Sequence, residues 1–430
     1  MVSSMAIARA SNVKHFVQME LANRVSDLGR EVQEGELSSI IEDIIGSMNL
    51  PDDLFLTEEA QRRFGQDVIN DFLYYGPLQP LLDDESITEI VANGPHRIFV
   101  EKAGRMLRVE GLQFDDEAHL RRIIDRIGQQ VGRRCDDSSP MMDARLLDGS
   151  RVNAIIPPLA IDGSSLTIRK FAKERMTAAD LLGAGAASPA MMSFLAAAVA
   201  GRCSCIVAGG TGSGKTTMLN VLSAFIPDYE RLVTIEDAAE LQLNQADLVR
   251  LESRPPNMEG RGEVTIRSLV VNALRMRPDR IIVGECRSSE AIEMINAMTT
   301  GHDGSLTTIH ANDIATTFSR LETMIMSGMS AYTPDDAKRL ISQAVNLVVI
   351  VKRMVDGTRK IDSIVHLAGM EGDVISTEQL FHFEPLGFGE DGRLLGEFVG
   401  DGFQPSRIVQ QLESRGVFYD KSWFFDRHRV

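Results

Sequence analysis

Apolar residues recur at spacings of three and four through Leu37, Ile40, Ile41, Ile44, Ile45 and Met48, which marks one buried face of a helix that Pro51 should stop. A second helical pattern over 58–72 completes a small helical bundle, assigned to residues 31–75. Residues 1–30 show little periodicity and read as a flexible N-terminal segment. From Gly76 the period shortens. Alternating segments at 87–93, 97–101 and 106–110, a turn at Gly104, a helix over 118–131 and further strand-like runs at 151–156 and 165–171 predict an α/β module spanning 76–175. A stretch rich in Ala, Gly and charge, 173–189, reads as a linker. Beyond it a helix at 190–200 leads into a short apolar strand at 203–208, and strand-like runs return at 232–235, 281–283, 306–309 and 347–351 with helical patterns between most of them. Strands alternating with helices predict a mostly parallel sheet covered on both faces. This third region takes 176–430, and after about 355 short strands and the Asp356-Gly357 turn predict an antiparallel appendage.

Charge changes the picture at the N-terminal end. Residues 1–30 carry four basic and two acidic residues, whereas 31–60 hold nine acids and no Lys or Arg. Since the apolar stripe already defines the buried face, those acids are expected on the solvated one. The whole chain has a net charge of -16, which would repel a phosphate backbone, so no stable nucleic-acid partner is expected. Four scattered cysteines, Cys135, Cys203, Cys205 and Cys286, suit neither a disulfide framework nor a zinc module and favour a reducing, cytoplasmic compartment. No apolar run reaches the roughly 20 residues of a membrane span, so any membrane association is expected to be peripheral.

The chemistry concentrates after the 203–208 strand. Gly209-Gly210-Thr211-Gly212-Ser213-Gly214-Lys215-Thr216 satisfies GxxxxGK[ST] in full, between a strand and a helix and followed by Thr217. Backbone N–H groups of such a loop surround phosphate oxygens, Lys215 reaches the β and γ phosphates of ATP, and Thr216 ligates Mg2+. Hydrolysis also needs a group that activates water. Two later strands end in acids, Glu236-Asp237-Ala238-Ala239-Glu240 and Gly284-Glu285, and ligands of open α/β sheets bind at the carboxyl ends of strands. Glu240 and Glu285 are therefore the candidates for general base and, through water, metal ligand. His302 and His310 flank a fourth strand, either at its opposite ends or with one of them near the γ phosphate. Cys203 and Cys205 read as packing residues.

Four segments, GGTGSGKTT at 209–217, TIEDAAEL at 234–241, RIIVGECR at 280–287 and GHDGSLTTIHAND at 301–313, resemble the Walker A, Asp box, Walker B and His box of the secretion ATPase superfamily. The segments at 76–105, 143–158 and 165–171 resemble the CpaF-like motor of the Tad (Flp) pilus. The resemblance implies a RecA-like P-loop ATPase domain with a smaller α/β N-terminal domain, assembled as a homohexameric ring with ATP between the two. It further implies Glu240 as catalytic glutamate, Glu285 as Walker B acid, His302 and His310 as His-box residues, and Arg151 and Arg169 as arginines that reach the nucleotide's phosphates. By this analogy the chain is a cytoplasmic motor at the inner membrane that powers pilus assembly through membrane platform proteins, with retraction left open as a second action. Two alternatives stand beside it: a type IV secretion motor for protein or DNA, and a nucleotide-gated ring scaffold with little hydrolysis. Arg287 is followed by Ser288 where the family often carries an acid, and the tetracysteine module of many type II secretion ATPases is absent from the sequence.

Overall fold

In the computed structural model, the residues described are 4–28, 30, 32–47, 58–102, 104–171, 175–256, 261–329 and 331–430. The chain divides into two units, Met1–Ala172 and Lys173–Val430.

The first unit opens with three helices, α1 (Ser4–Leu28), α2 (Glu34–Ser47) and α3 (Glu58–Leu73). The first of these corrects the expectation of a flexible segment over 1–30. Val13, Val17, Leu21 and Val25 recur every four residues, and Val17 and Leu21 are buried against Leu37, Ile41, Ile44, Val68 and Ile69. His15, Gln18, Glu20 and Arg24, interleaved among them, mask the stripe. Glu36, Glu42, Asp43 and Glu59 are exposed; Glu31, Met48, Pro51, Asp52 and Asp53 lie outside the described residues. After a 3-10 turn at Gly76–Leu78 and a short α4 (Gln79–Asp83) comes a six-stranded antiparallel sheet. Its strands are β1 (Ile87–Asn93), β2 (Ile98–Lys102), β3 (Arg105–Arg108), β4 (Met141–Arg145), β5 (Arg151–Ile155) and β6 (Ser165–Arg169), in the order β3-β2-β1-β6-β5-β4. Helix α5 (Glu117–Gln130) is started by Asp116, whose carboxylate accepts from His119 N–H, and it buries Leu120, Ile123, Ile124 and Ile127 in this unit's second core.

The second unit is built on one ten-stranded sheet, β16-β15-β14-β13-β12-β7-β11-β10-β8-β9. Strands β7 (Cys205–Gly209), β8 (Leu232–Glu236), β9 (Leu248–Glu252), β10 (Arg280–Cys286), β11 (Leu306–His310) and β12 (Leu347–Arg353) run parallel. The antiparallel strands β13 (Arg359–Glu371), β14 (Val374–Phe388), β15 (Leu394–Gly400) and β16 (Arg427–Arg429) are not a separate appendage but extend the same sheet, because β12 pairs in parallel with β7 and antiparallel with β13. Helices α6 (Ala178–Gly183), α7 (Pro189–Ala200), α8 (Lys215–Ser223), α9 (Ile266–Ala273), α10 (Glu290–Thr299), α11 (Ile314–Gly328), α12 (Pro334–Ala344) and α13 (Ser406–Ser414) complete the unit. Alternation along β7 serves two cores. Cys205 and Val207 pack into the one that holds Phe194, Phe381 and Phe424, and Ile206 and Ala208 into the one that holds Val283 and Ile309. Phe424, from the aromatic C-terminal tail, lies edge-on to Phe194 at 5.3 Å between ring centroids, which anchors the tail on its own unit.

Candidate active site

Because β7, β8, β10 and β11 are parallel, their carboxyl ends lie along one edge of the sheet, and the glycine-rich loop leaves from that edge. Gly209 ends β7 where a Cβ would overlap Ser213 Oγ and come within 2.5 Å of the Val351 carbonyl oxygen, so only glycine fits. Gly212 and Gly214 take φ of 67° and 94°, the left-handed conformations that turn the chain into α8. Within the turn Ser213 Oγ and Lys215 Nζ both donate to the Gly210 carbonyl, at 2.9 and 3.0 Å, and Arg359 Nε donates to the Gly212 carbonyl at 3.2 Å. Thr216 and Thr217 sit half-buried in the first turn of α8, and Thr211 is exposed. The loop thus keeps its backbone donors and a helix N-terminus together, the arrangement that binds phosphate.

The segment after β8 is held by four consecutive backbone N–H groups. Ala239 donates to Glu252 Oε2 at 3.0 Å, Glu240 and Leu241 both donate to Glu236 Oε1 at 2.9 Å, and Gln242 donates to Asn220 Oδ1 of α8 at 2.9 Å. Glu240 is half-buried at the centre of this segment. On the neighbouring strand end, Glu285 Oε2 accepts from Arg287 Nη2 at 2.7 Å, and Arg287 Nη1 reaches Asp237 Oδ2 at 3.2 Å, so one guanidinium joins the two acidic strand ends.

The edge therefore gathers Gly209 to Thr217, Glu240, Glu285 and His310, the last in register with Gly209. His302 is not among them. It precedes β11, at the opposite end of that strand, so of the two arrangements open in the sequence the imidazoles take opposite ends. Arg151 and Arg169 belong to the first unit, directly opposite each other on β5 and β6, and Arg145 of β4 is in register with Arg151. That third arginine was not singled out from the sequence; only the strand register places it in the row. Glu236 was also passed over. It is buried, and burial pushes its carboxyl up to about 7, opposed by the two N–H bonds from Glu240 and Leu241 and reinforced by the charge of Glu240. All four cysteines are free and buried, and burial pushes Cys203 and Cys286 up to about 12, which makes them packing groups and not nucleophiles.

Residues 74–387 match the family described as "Type II/IV secretion system protein". A putative conjugal transfer protein of Mycobacterium tuberculosis is 38% identical over 309 residues, 70% of this chain and 86% of that protein. The type IV secretion system protein VirB11 of Brucella suis is 35% identical over 312 residues, 66% of this chain and 86% of its own length. The X-ray structure of the Legionella pneumophila ATPase DotB, 21% identical, superposes with a TM-score of 0.50 over 81% of this chain and 89% of that one, a likeness of fold. With the phosphate loop and the acidic strand ends on one sheet edge and the family match running through both units, the chain belongs to the type II/IV secretion system protein family and is an ATPase.

Proposed function

We propose that this ATPase drives a type IV secretion machine, spending ATP at the β7–α8 loop to move protein or DNA substrates. The observation that carries the reading is that relatives named for conjugal transfer and for VirB11 align with the chain over most of their own lengths. Lys215 holds the β and γ phosphates. Glu240 accepts a proton from water as the water oxygen bonds to the γ phosphorus and the bond from that phosphorus to the ADP oxygen breaks. The donors at the edge are hard oxygens, the Thr216 hydroxyl and the Glu285 carboxylate acting through water, and this set fits Mg2+. When bound there, the ion would neutralise phosphate charge. Arg151 and Arg169 are assigned to the remaining phosphate charge in an assembled homohexameric ring. Among the described residues no helix is long and apolar enough to cross a membrane. We place the ring at the cytoplasmic face of the inner membrane, handing force to a membrane-embedded platform protein.

A second reading, the motor of a Tad (Flp) pilus, is favoured by the N-terminal segments at 76–105, 143–158 and 165–171. The α1–α3 bundle adds to it, since all three helices precede the family match that begins at residue 74. Two measurements test these assignments. Glu240→Gln should keep ATP binding while phosphate release falls by about 10^2 to 10^4, the usual loss of a general base; wild-type turnover would remove Glu240 from that role. Deleting the gene should abolish transfer of secreted substrate and leave surface pili intact. Loss of pili with transfer intact would decide for the second reading.

A further inference from the structure

Glu236 ends β8 beside the Gly284-Glu285 end of β10 and is buried. Its Oε1 takes the N–H groups of both Glu240 and Leu241 at 2.9 Å, while its Oε2 is buried and has no hydrogen-bond partner. Its Cγ fills the space above Gly284, where an added Cβ would lie 2.9 Å away. The Gly284 carbonyl is fixed from the other side by Thr308 Oγ1 at 2.8 Å. One buried side chain thus touches the segment that carries Glu240 and the backbone just ahead of Glu285. A buried polar atom left unmatched costs stability, and here Oε2 bears that cost while Oε1 holds two peptide N–H groups.

We propose that Glu236 is a positioning residue for hydrolysis, setting the reach of Glu240 and its spacing from Glu285 by gripping two successive peptide N–H groups from inside the sheet edge. The proposal rests on Glu240 being the general base. Burial raises the Glu236 carboxyl to about 7, so acid and carboxylate are both populated near neutral pH, and Oε1 accepts the two N–H groups in either form. An amide keeps the accepting oxygen and an alanine does not.

The test uses the full chain in steady-state phosphate release, with binding of a fluorescent ATP analogue and thermal unfolding as controls. Glu236→Ala should lower kcat by about 10^2, within the range of losing a general base, with KM for ATP changed by less than about threefold. Glu236→Gln should restore kcat to within about threefold of wild type, since both N–H bonds survive. The double variant Glu236→Ala/Glu240→Gln should be no slower than Glu240→Gln alone, because a residue acting through Glu240 has nothing left to position. A folded Glu236→Ala chain with wild-type kcat, a Glu236→Gln chain as slow as the alanine variant, or additive losses in the double variant would each overturn the proposal while leaving Glu240 as base. Wild-type turnover in Glu240→Gln alone would instead withdraw the reading on which it rests.

Discussion

Arg280 opens β10 fully buried, and its guanidinium makes a two-point pair with Glu230, Nε to Oε2 at 2.6 Å and Nη2 to Oε1 at 2.9 Å. Nη1 donates to the Val199 carbonyl at 2.6 Å, and Arg202 Nη2 reaches the same carboxylate at 3.1 Å. Burial alone would raise the Glu230 carboxyl, but the two guanidiniums outweigh it and hold the group below its ordinary range. With a depressed folded value, the contribution of Glu230 is present above the unfolded carboxylate range and fades as pH falls through the folded one. A cation placed this way depends on its partner. Glu230→Ala should lower the unfolding free energy by about 3–5 kcal/mol, read from urea denaturation near neutral pH, since it strands a buried charge. A loss under about 1 kcal/mol would mean that the Val199 carbonyl and water suffice. In the sequence Arg280 is an ordinary polar residue at the head of an apolar run. Its partner is fifty positions earlier, and no periodicity connects them.

At the level of elements, α1 is held to α3 and α5 by polar contacts as well as by its apolar stripe. Lys14 Nζ lies 2.6 Å from Asp71 Oδ2, Gln18 Nε2 donates to the same oxygen at 2.9 Å, and His119 of α5 sits between Asp71 Oδ1 at 3.2 Å and Asp115 Oδ2 at 3.1 Å. Burial pushes the His119 imidazolium down, but Asp115 and Asp71 outweigh it, so its folded value is raised; Asp71 and Asp115 are lowered, Asp115 to about 2. The raised histidine contributes fully below its unfolded value and loses that contribution as pH rises through the folded one, whereas the lowered acids lose theirs as pH falls. Stability of the first unit should therefore be greatest at mildly acid pH and decline on the alkaline side. In His119→Gln that alkaline decline should vanish, with a cost on the order of 2 kcal/mol at pH 6. Melting curves from pH 5 to 9 on both chains check it; a decline that persists in the variant would assign it to another group. The same region shows what sequence patterns deliver. Helix α2, with Leu37, Ile40, Ile41, Ile44 and Ile45 repeating at three and four, was legible, and α1, whose stripe Val13, Val17, Leu21 and Val25 is interleaved with polar residues, was not. The glycine-rich loop, Glu240 after β8 and Glu285 at the end of β10 were legible because local spacing carries them. The edge strand β9 was missed, since a half-exposed strand lacks the apolar run that marks a buried one. Glu236 and Arg145 matter only through strand pairing, which spacing along the chain does not encode.

At the scale of the whole molecule, Arg145, Arg151 and Arg169 stand in register across β4, β5 and β6, with Glu89 of β1 opposite Arg169. Guanidinium groups side by side on neighbouring strands present planar, multi-donor positive charge that suits an anion such as phosphate. In the proposed ring that anion is the phosphate chain of ATP, and guanidinium groups that meet transition-state charge accelerate phosphoryl transfer by about 10^3 to 10^5. On that proposal the row meets phosphate only in the assembled ring, and assembly becomes a condition for fast turnover. Phosphate release per chain should rise at least about tenfold as concentration is carried through assembly, measured alongside mass by light scattering. Arg169 is exposed although β6 is an inner strand, so Arg169→Ala should fold and assemble normally while kcat falls by about 10^3. Full turnover from a chain that stays monomeric at micromolar concentration would sink the ring, and wild-type kcat in an assembled Arg169→Ala chain would leave the ring standing and remove Arg169 from the phosphate site.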